Sequence, residues 1–209
     1  MCIRDSLSAT LSGIMIGMGG IVYLSCQNKY LGAFLFSIGL TTILINRTAL
    51  FTGKVGYLLY KGRTNLVELL IIWLGNFMGT FITAKLVSFT RLSMSLVSAV
   101  TPLVETKAAD GFVSLFLLAV FCGILMTIAV STYLDTEHPA IVKLGVSSIC
   151  VAVFILCGFE HCVANMFYFS LAGNWSVLLV LRLLVMTLGN GVGGNVIPAY
   201  KQAAKMLAH

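Results

Sequence analysis

One histidine of the chain lies inside a long apolar stretch, directly after a glutamate, as Glu160-His161. His138 sits among polar residues, and His209 is the last residue. An imidazole has an ordinary pKa near neutral pH, so His161 can accept or donate a proton under physiological conditions. A histidine in an apolar run can also be a packing residue whose ring binds a backbone carbonyl, and the residue type alone leaves both interpretations open.

A second apolar stretch, residues 31–60, is interrupted by Arg47 with its polar neighbours and then by Thr52. The Thr52 hydroxyl can cap a helix, and it can also bind a solute in a pore. This stretch and residues 139–171 are both too long for one crossing, so we predict two helices broken at membrane depth. Unwound backbone is tolerated there only where it is buried in protein or lines a cavity. The two breaks therefore indicate a pathway through the membrane.

The composition indicates that lipid surrounds the chain. Of 209 residues, 59% are hydrophobic and 10% are charged, with a mean hydropathy of +1.01, which is too apolar for a soluble globule. The net charge of +6 comes from basic residues scattered between apolar runs, so we expect no nucleic-acid partner. A membrane-spanning helix needs about 20 residues. We predict six apolar segments at about 7–26, 31–60, 66–88, 111–134, 139–171 and 177–198.

The six cysteines show no metal-binding or disulfide pattern, because they form no C-x-x-C pair and mostly lie in apolar runs. We expect them to pack as small hydrophobic residues, and we predict neither a metal nor a cofactor. Residues 1–6 differ in composition from the segment that follows, and we set them aside as non-native or disordered. Residues 7–209 then form a single transmembrane channel domain.

An internal repeat relates the two halves of the chain. The run Leu-Gly-Asn-Phe-Met-Gly-Thr at 74–80 recurs as Leu-Gly-Asn-Gly-Val-Gly-Gly at 188–194, an offset of 114, and Thr52 and His161 are 109 residues apart. Each repeat holds three spans, and an odd number of spans inverts the second repeat relative to the first. We therefore predict an all-α membrane protein of six transmembrane helices in two inverted three-helix repeats, with helices 2 and 5 broken at the midplane. The repeats cover about 7–105 and 107–205.

Basic residues near the span ends indicate the orientation, because Lys and Arg are enriched in cytoplasmic loops. In a six-span arrangement one side carries Lys61, Arg63, Lys143, Lys201 and Lys205, and the other carries Lys29, Arg91, Lys107 and Arg182. The larger group predicts that both termini are cytoplasmic.

Several motifs resemble those of one transporter family. Residues 158–167, Gly-Phe-Glu-His-Cys-Val-Ala-Asn-Met-Phe, resemble the hallmark of the formate-nitrite transporter family, whose members include hydrosulfide channels. Leu50-Phe51-Thr52 is similar to the family's loop in the second helix, and the Leu-Gly-Asn run near the C-terminus is similar to its last-helix signature. Lys107 stands sixteen residues before Gly123, the spacing at which the family keeps a vestibule lysine ahead of a fourth-helix asparagine. The resemblance spans residues 12–200.

The family pattern implies two apolar constrictions along a pore. Phe36 and Phe154 would form the one toward the periplasm, and Leu40, Leu50 and Phe51 the one toward the cytoplasm. Composition alone would place all five residues in an ordinary core, so these roles rest on the resemblance.

The resemblance also assigns the polar groups. Thr52 and His161 would face a chamber between the constrictions, and Lys107 would attract anions into the vestibule beside it. We expect Glu160 to point away from the pore and to bind backbone N–H groups, because a carboxylate would repel a passing anion. The family assembles as a homopentamer with one pore per protomer. The resemblance therefore implies a pentamer in a bacterial-type inner membrane.

The chain departs from the family pattern at two positions. The acidic residue that usually precedes Leu-Phe-Thr is Ala49, and the fourth-helix asparagine is Gly123. The ending Thr52-Gly53-Lys54 is similar to the hydrosulfide-type branch. These differences leave the choice among formate, nitrite and hydrosulfide open.

We therefore predict channel-like transport of small monovalent anions of weak acids, with a proton shared at His161. Proton sharing would let the solute pass apolar constrictions with little net charge. An aquaporin-like channel for neutral solutes is an alternative, although the paired Asn-Pro-Ala signatures are absent from the sequence. An intramembrane enzyme is a weaker alternative, because it would need a catalytic pair such as Ser with His or two aspartates. The apolar runs offer one histidine, one candidate glutamate and no aspartate.

Overall fold

The computed structural model describes residues 3–58 and 64–207, which fold into ten α-helices and one 3-10 turn. The helices are α1 (Ile3–Ser25), α2 (Lys29–Leu35), α3 (Ser37–Asn46), α4 (Phe51–Lys54), α5 (Leu66–Ser88), α6 (Ser93–Ala109), α7 (Phe112–Leu134), α8 (Ala140–Leu156), α9 (Cys162–Ala172) and α10 (Val177–Leu207). The 3-10 turn, Val55–Tyr57, follows α4. The predicted all-α architecture is confirmed.

Five helical segments within the described ranges are long and apolar enough to cross a membrane. They are Arg4–Ser25, Lys29–Asn46, Leu66–Ser88, Phe112–Leu134 and Val177–Leu207. The fifth predicted segment, 139–171, is split into the shorter apolar helices α8 and α9.

The first helix begins earlier than predicted. It starts at Ile3 and has Asp5 in its first turn, where a carboxylate interacts favourably with the helix dipole. Residues 3–6, which the composition led us to set aside, are therefore helical. Met1 and Cys2 lie outside the described residues.

The two repeats pack by the same glycine contact. A Cβ on Gly79 of α5 would lie 2.0 Å from the Thr10 carbonyl oxygen of α1, and a Cβ on Gly193 of α10 would lie 1.9 Å from the Val120 carbonyl oxygen of α7. Only glycine permits this close approach of two helix backbones. Each of these glycines belongs to a G-x-x-x-G run, Gly75 to Gly79 in α5 and Gly189 to Gly193 in α10. The two runs therefore serve helix packing, one in each repeat.

Each repeat contains the predicted break. Helix α3 is followed by Arg47, whose φ of 54° and ψ of 37° are left-handed, and α4 begins after extended Leu50. Helix α8 ends before Gly158, whose φ is 68°, and α9 begins after extended His161. A left-handed residue thus ends the helix before each break.

Helix α6 was not predicted. Its sequence contains Pro102 and several polar residues, so it lacks the apolar run by which we recognised the spans. It connects the two repeats, packs against α1 and α9, and carries Lys107 in its last turn.

Both described ends of the chain lie on the same side of the molecule as the first break. The backbone N–H of Ala49 donates to the Ser8 hydroxyl of α1, and the Asn195 side chain of α10 donates to the Val55 carbonyl. Of the basic residues that predicted the orientation, Lys61 and Arg63 lie outside the described residues.

Candidate functional site

The first break is held by Asn76 of α5, which is fully buried. Its Oδ1 accepts a hydrogen bond from the backbone N–H of Phe51 at 2.8 Å. Its Nδ2 donates to the carbonyls of Ala49 at 3.0 Å and Ala9 at 2.8 Å. One amide thus satisfies the backbone of the break on both sides of Leu50 and ties it to α1.

The second break is held in the same way by Asn190 of α10, also fully buried. Its Oδ1 accepts from the backbone N–H of Cys162 at 2.8 Å. Its Nδ2 donates to the carbonyls of Glu160 at 2.7 Å and Ala119 at 2.8 Å. The two asparagines are the pair that the internal repeat placed in equivalent positions.

These contacts correct the pairing of the two breaks. Ala49 and Glu160 flank the breaks in the same way, 111 residues apart, so the structural equivalent of His161 is Leu50. The offset of 109 paired Thr52 with His161 as equivalent residues. In the structure the two residues are not equivalent, and the Thr52 hydroxyl contacts the His161 ring.

His161 is the N-cap residue of α9 and is 3% exposed. Its Nδ1 accepts the backbone N–H of Ala164 at 3.1 Å, so a neutral ring carries its hydrogen on Nε2. Nε2 lies 3.0 Å from the Thr52 hydroxyl oxygen and can donate to it. The imidazole stacks on the Phe154 ring at a centroid distance of 5.3 Å. The ring is thus a buried hydrogen-bond donor whose position is fixed on three sides.

Thr52 does not cap α4. The N-cap residue of that helix is Leu50, and no side chain caps it, while Thr52 is 1% exposed with its hydroxyl directed at His161. The structure therefore contradicts the capping interpretation of Thr52, whereas the pore-lining role stays a prediction, because Thr52 contacts His161 but borders neither of the cavities described below.

Lys107 is joined to Glu160. The Lys107 ammonium lies 2.5 Å from Glu160 Oε2, which also accepts from the Asn165 amide at 2.7 Å. The expectation that Glu160 binds backbone N–H groups is therefore wrong, because its carboxylate is occupied by side chains. The two opposite charges offset each other in a partly dry site, where the Lys107 and Glu160 side chains are 14% and 4% exposed.

One cavity beside each break is lined by residues of that break, and no described residue lines both of these cavities. We call the one of about 330 Å³ the Arg47 vestibule. It is lined by Leu40, Ile43, Leu44, Arg47, Thr48, Leu50, Gly53, Lys54, Tyr57, Val130 and Leu134. We call the one of about 70 Å³ the Lys107 vestibule. It is lined by Tyr23, Leu103, Lys107, Phe154, Ile155, Gly158, Phe159, His161, Ala164, Asn165 and Tyr168.

The five apolar residues assigned to constrictions are all buried. Leu40 and Leu50 line the Arg47 vestibule, and Phe154 lines the Lys107 vestibule. Phe36 lines neither, and its ring meets the Phe154 ring edge-on at 6.1 Å. Phe51 also lines neither vestibule, and its backbone N–H is the group bound by the buried amide of α5. Three of the five residues therefore border a cavity, and two do not.

Three site residues escaped the sequence analysis as functional groups: Arg47, Lys54 and Asn165. A structural alignment of the repeats at an offset of 111 pairs Lys54 with Asn165, whereas Arg47 is paired with Gly158 and would not have been found in this way. Among the described residues, no group of His, Cys, Asp and Glu could hold a metal ion.

Comparison with known proteins gives a consistent result. The profile of the formate/nitrite transporter family matches residues 4–202. The chain is 30% identical over 214 residues to the nitrite transporter NirC of Escherichia coli, with 91% of this chain and 79% of that protein covered. It is 25% identical over 240 residues to the formate channel FocA of Haemophilus influenzae, with 91% and 82% covered.

Solved structures show the same likeness. A pentameric formate channel with formate bound superposes with a TM-score of 0.83 at 25% identity, covering 98% of this chain and 97% of that one. An ion channel of the same family superposes with a TM-score of 0.80 at 28% identity, covering 96% and 90%.

Proposed function

Because the chain belongs to the formate/nitrite transporter family, we propose that it conducts small monovalent anions of weak acids, with a proton shared at His161. The observation that carries the proposal is the buried Thr52–His161 pair, whose hydroxyl oxygen and Nε2 are 3.0 Å apart. The pair lies where the two broken helices begin, and His161 borders the Lys107 vestibule. Two polar groups held at that depth supply hydrogen bonds that an anion loses on leaving water.

An anion entering the pair would exchange the Thr52–His161 hydrogen bond for two bonds to its own atoms. The imidazole at rest is neutral, because Nδ1 is engaged by the Ala164 N–H. The ring can take up a second proton, from water in the Lys107 vestibule, only by giving up that hydrogen bond. The buried Ala164 N–H is then left unpaired, which costs about 1–3 kcal/mol. A bound anion offsets this cost by its charge. The proton can then lie between Nε2 and the solute, which crosses the apolar constriction with little net charge.

Lys107 keeps a role in this proposal, although a weaker one than a free ammonium would have. It borders the same cavity as His161, but the carboxylate of Glu160 offsets its charge. We infer that Lys107 contributes hydrogen-bond donors to the anion more than long-range attraction.

The constriction roles are part of the same proposal. Phe36 and Phe154 would close the path on the Lys107 side, and Leu40, Leu50 and Phe51 would close it on the Arg47 side. Their burial supports these roles. Leu40 and Leu50 also border the Arg47 vestibule, and Phe154 borders the Lys107 vestibule.

We further propose a homopentamer in a bacterial-type inner membrane with both termini cytoplasmic. The solved relative described as pentameric supports the assembly. Basic residues support the orientation by six to five. The side with both described ends has Arg4, Arg47, Lys54, Lys143, Lys201 and Lys205, and the other has Lys29, Lys85, Arg91, Lys107 and Arg182. The Arg47 vestibule would then face the cytoplasm.

Formate and nitrite are the first substrates to test, because they appear in the names of the relatives NirC and FocA. The proposed likeness to the hydrosulfide branch rests on Thr52-Gly53-Lys54 alone. The test is initial uptake of formate, nitrite and hydrosulfide into proteoliposomes, with glycerol as the neutral solute. Uptake of at least one of the three weak acids above empty liposomes is expected. Glycerol uptake without uptake of the acids would favour the aquaporin-like alternative.

A further inference from the structure

The two vestibules are built from equivalent positions of the two repeats. Eight residues that line the Arg47 vestibule have partners 111 positions later that line the Lys107 vestibule. The pairs are Ile43 and Phe154, Leu44 and Ile155, Arg47 and Gly158, Thr48 and Phe159, Leu50 and His161, Gly53 and Ala164, Lys54 and Asn165, and Tyr57 and Tyr168. The cavities therefore share one backbone design, and their differences lie in side chains.

Charge is the main difference. Arg47 and Lys54 of the Arg47 vestibule are replaced by the neutral residues Gly158 and Asn165 in the other cavity. At the break, Ala49 is replaced by Glu160, whose carboxylate binds the ammonium of the lysine beside it. One vestibule thus carries two cations on its lining, and the single lysine of the other is offset by a carboxylate.

The two cations of the Arg47 vestibule have no acidic partner among residues 3–58 and 64–207. The ion pairs within those ranges are Lys107 with Glu160 and His138 with Asp135. The lining of the vestibule contains no carboxylate. Arg47 also lines an adjoining cavity together with Lys143, which adds a third cation at this mouth.

Arg47 occupies a backbone conformation that favours glycine. Its φ is 54°, and the equivalent residue of the other repeat is Gly158 with a φ of 68°. An L-residue with a Cβ is strained in this region, and such strain persists where the residue has another use. The arginine at this position therefore supports a role for its charge.

We propose that the Arg47 vestibule is the main anion-capturing mouth of the channel and that the Lys107 vestibule is electrostatically near neutral. If the proposed function holds, this asymmetry has a consequence for transport. Anions should half-saturate transport at a lower concentration when they enter from the Arg47 side. A cavity lined by one sign of charge and low-dielectric walls raises the local counter-ion concentration, by about 10-fold or more. The gradient still sets the direction of net flux, because both mouths serve one passive path.

The local potential can be measured without transport. Thr48→Cys and Phe159→Cys place a thiol at equivalent positions of the two vestibules, in a parent chain with the exposed Cys157 replaced by serine. Each is labelled in detergent with a sulfonate-bearing and a trimethylammonium-bearing methanethiosulfonate. We define the labelling ratio as the rate of labelling by the sulfonate reagent divided by the rate of labelling by the trimethylammonium reagent. This ratio should be about tenfold higher at Thr48→Cys than at Phe159→Cys. Salt at about 0.5 M should reduce the difference.

In a double variant, Arg47→Gly with Lys54→Gln, the labelling ratio at Thr48→Cys should fall to that at Phe159→Cys. Arg47→Gly removes both the charge and the backbone strain, so the variant protein should be as thermally stable as the parent chain or more stable. Loss of the preference for the anionic reagent then cannot be ascribed to misfolding. Lys201→Gln, a charge removed from an exposed site of α10, is the matched control and should change neither ratio. Equal ratios at the two native vestibules, or a ratio at Thr48→Cys that survives removal of both cations, would overturn the inference.

Formate flux in oriented vesicles separates this inference from the function on which it rests. Half-saturation at a several-fold lower concentration from the Arg47 side, lost in the double variant, is the expected result. Flux with equal half-saturation from both sides would overturn the asymmetry and leave the proposed function intact. A higher sulfonate preference at Thr48→Cys without flux of any weak acid would overturn the proposed function and leave the charge asymmetry standing.

Discussion

Replacing Asn190 with alanine should destabilise the fold and misplace His161 together. The Asn190 side chain makes three hydrogen bonds, to the N–H of Cys162 and to the carbonyls of Glu160 and Ala119. Two of these partners flank His161 directly. The variant therefore releases the backbone on both sides of His161 without replacing the histidine itself.

The size of the effect follows from these three bonds. A buried hydrogen bond contributes about 0.5–1.5 kcal/mol net, and an unpaired buried group costs more, so Asn190→Ala should lose about 2–4 kcal/mol of unfolding free energy. For a chain of 150–250 residues, 1 kcal/mol shifts the unfolding midpoint by about 2–4 °C. The expected decrease is roughly 5–15 °C. Asn76→Ala should show a similar decrease, because it loses the three equivalent bonds.

The assay is thermal unfolding of purified protein in detergent, followed by formate flux for variants that stay folded. Asn46→Ala is the control, because Asn46 is exposed and its amide donates to one carbonyl of its own helix; it should change stability by about 0.5 kcal/mol or less. If Asn190→Ala unfolds within 2 °C of the Asn46→Ala variant, the amide is not what holds the break, and the reasoning fails.

Three further predictions concern the pore and the topology. Thr52→Val removes the hydroxyl that faces His161 and should reduce formate flux while the protein stays folded, whereas Thr52→Ser should retain most of the flux; equal flux in both variants would contradict the role of the hydroxyl. Phe154→Ala should widen the path and relax selectivity among anions; loss of assembly, with the roughly 3–5 kcal/mol cost of removing a core aromatic ring, would instead make it a packing residue. Cysteines at Asn174 and Lys205 should be labelled from opposite sides of the membrane, and labelling from one side would contradict the inverted repeat.

The sequence predicted the spans and the breaks well, because both have one-dimensional signals. Apolar runs set the spans, and the polar interruptions near Arg47 and Glu160 located the breaks. The repeated Leu-Gly-Asn run identified equivalent helices, and its asparagines proved to hold the breaks. Helix α6 was missed because it lies between apolar runs and carries Pro102.

Side-chain pairing was less predictable. Lys107 and Glu160 are 53 residues apart, and nothing in the local sequence of either shows that they form an ion pair. The repeat was aligned by residue similarity at the breaks, which matched Thr52 with His161, whereas the backbone contacts match Leu50 with His161. Because that offset was wrong by two residues, the equivalence of Lys54 and Asn165 could not emerge from the sequence.

The most direct test of the central claim is a comparison of formate and chloride flux through wild type and His161→Asn in liposomes, over a series of pH values. Asparagine keeps a hydrogen-bond donor but exchanges no proton near neutral pH, so formate flux should fall while chloride, which stays charged, passes as well as before or better. His161→Phe should block both solutes. Equal formate flux through wild type and His161→Asn at every pH would contradict proton sharing at His161.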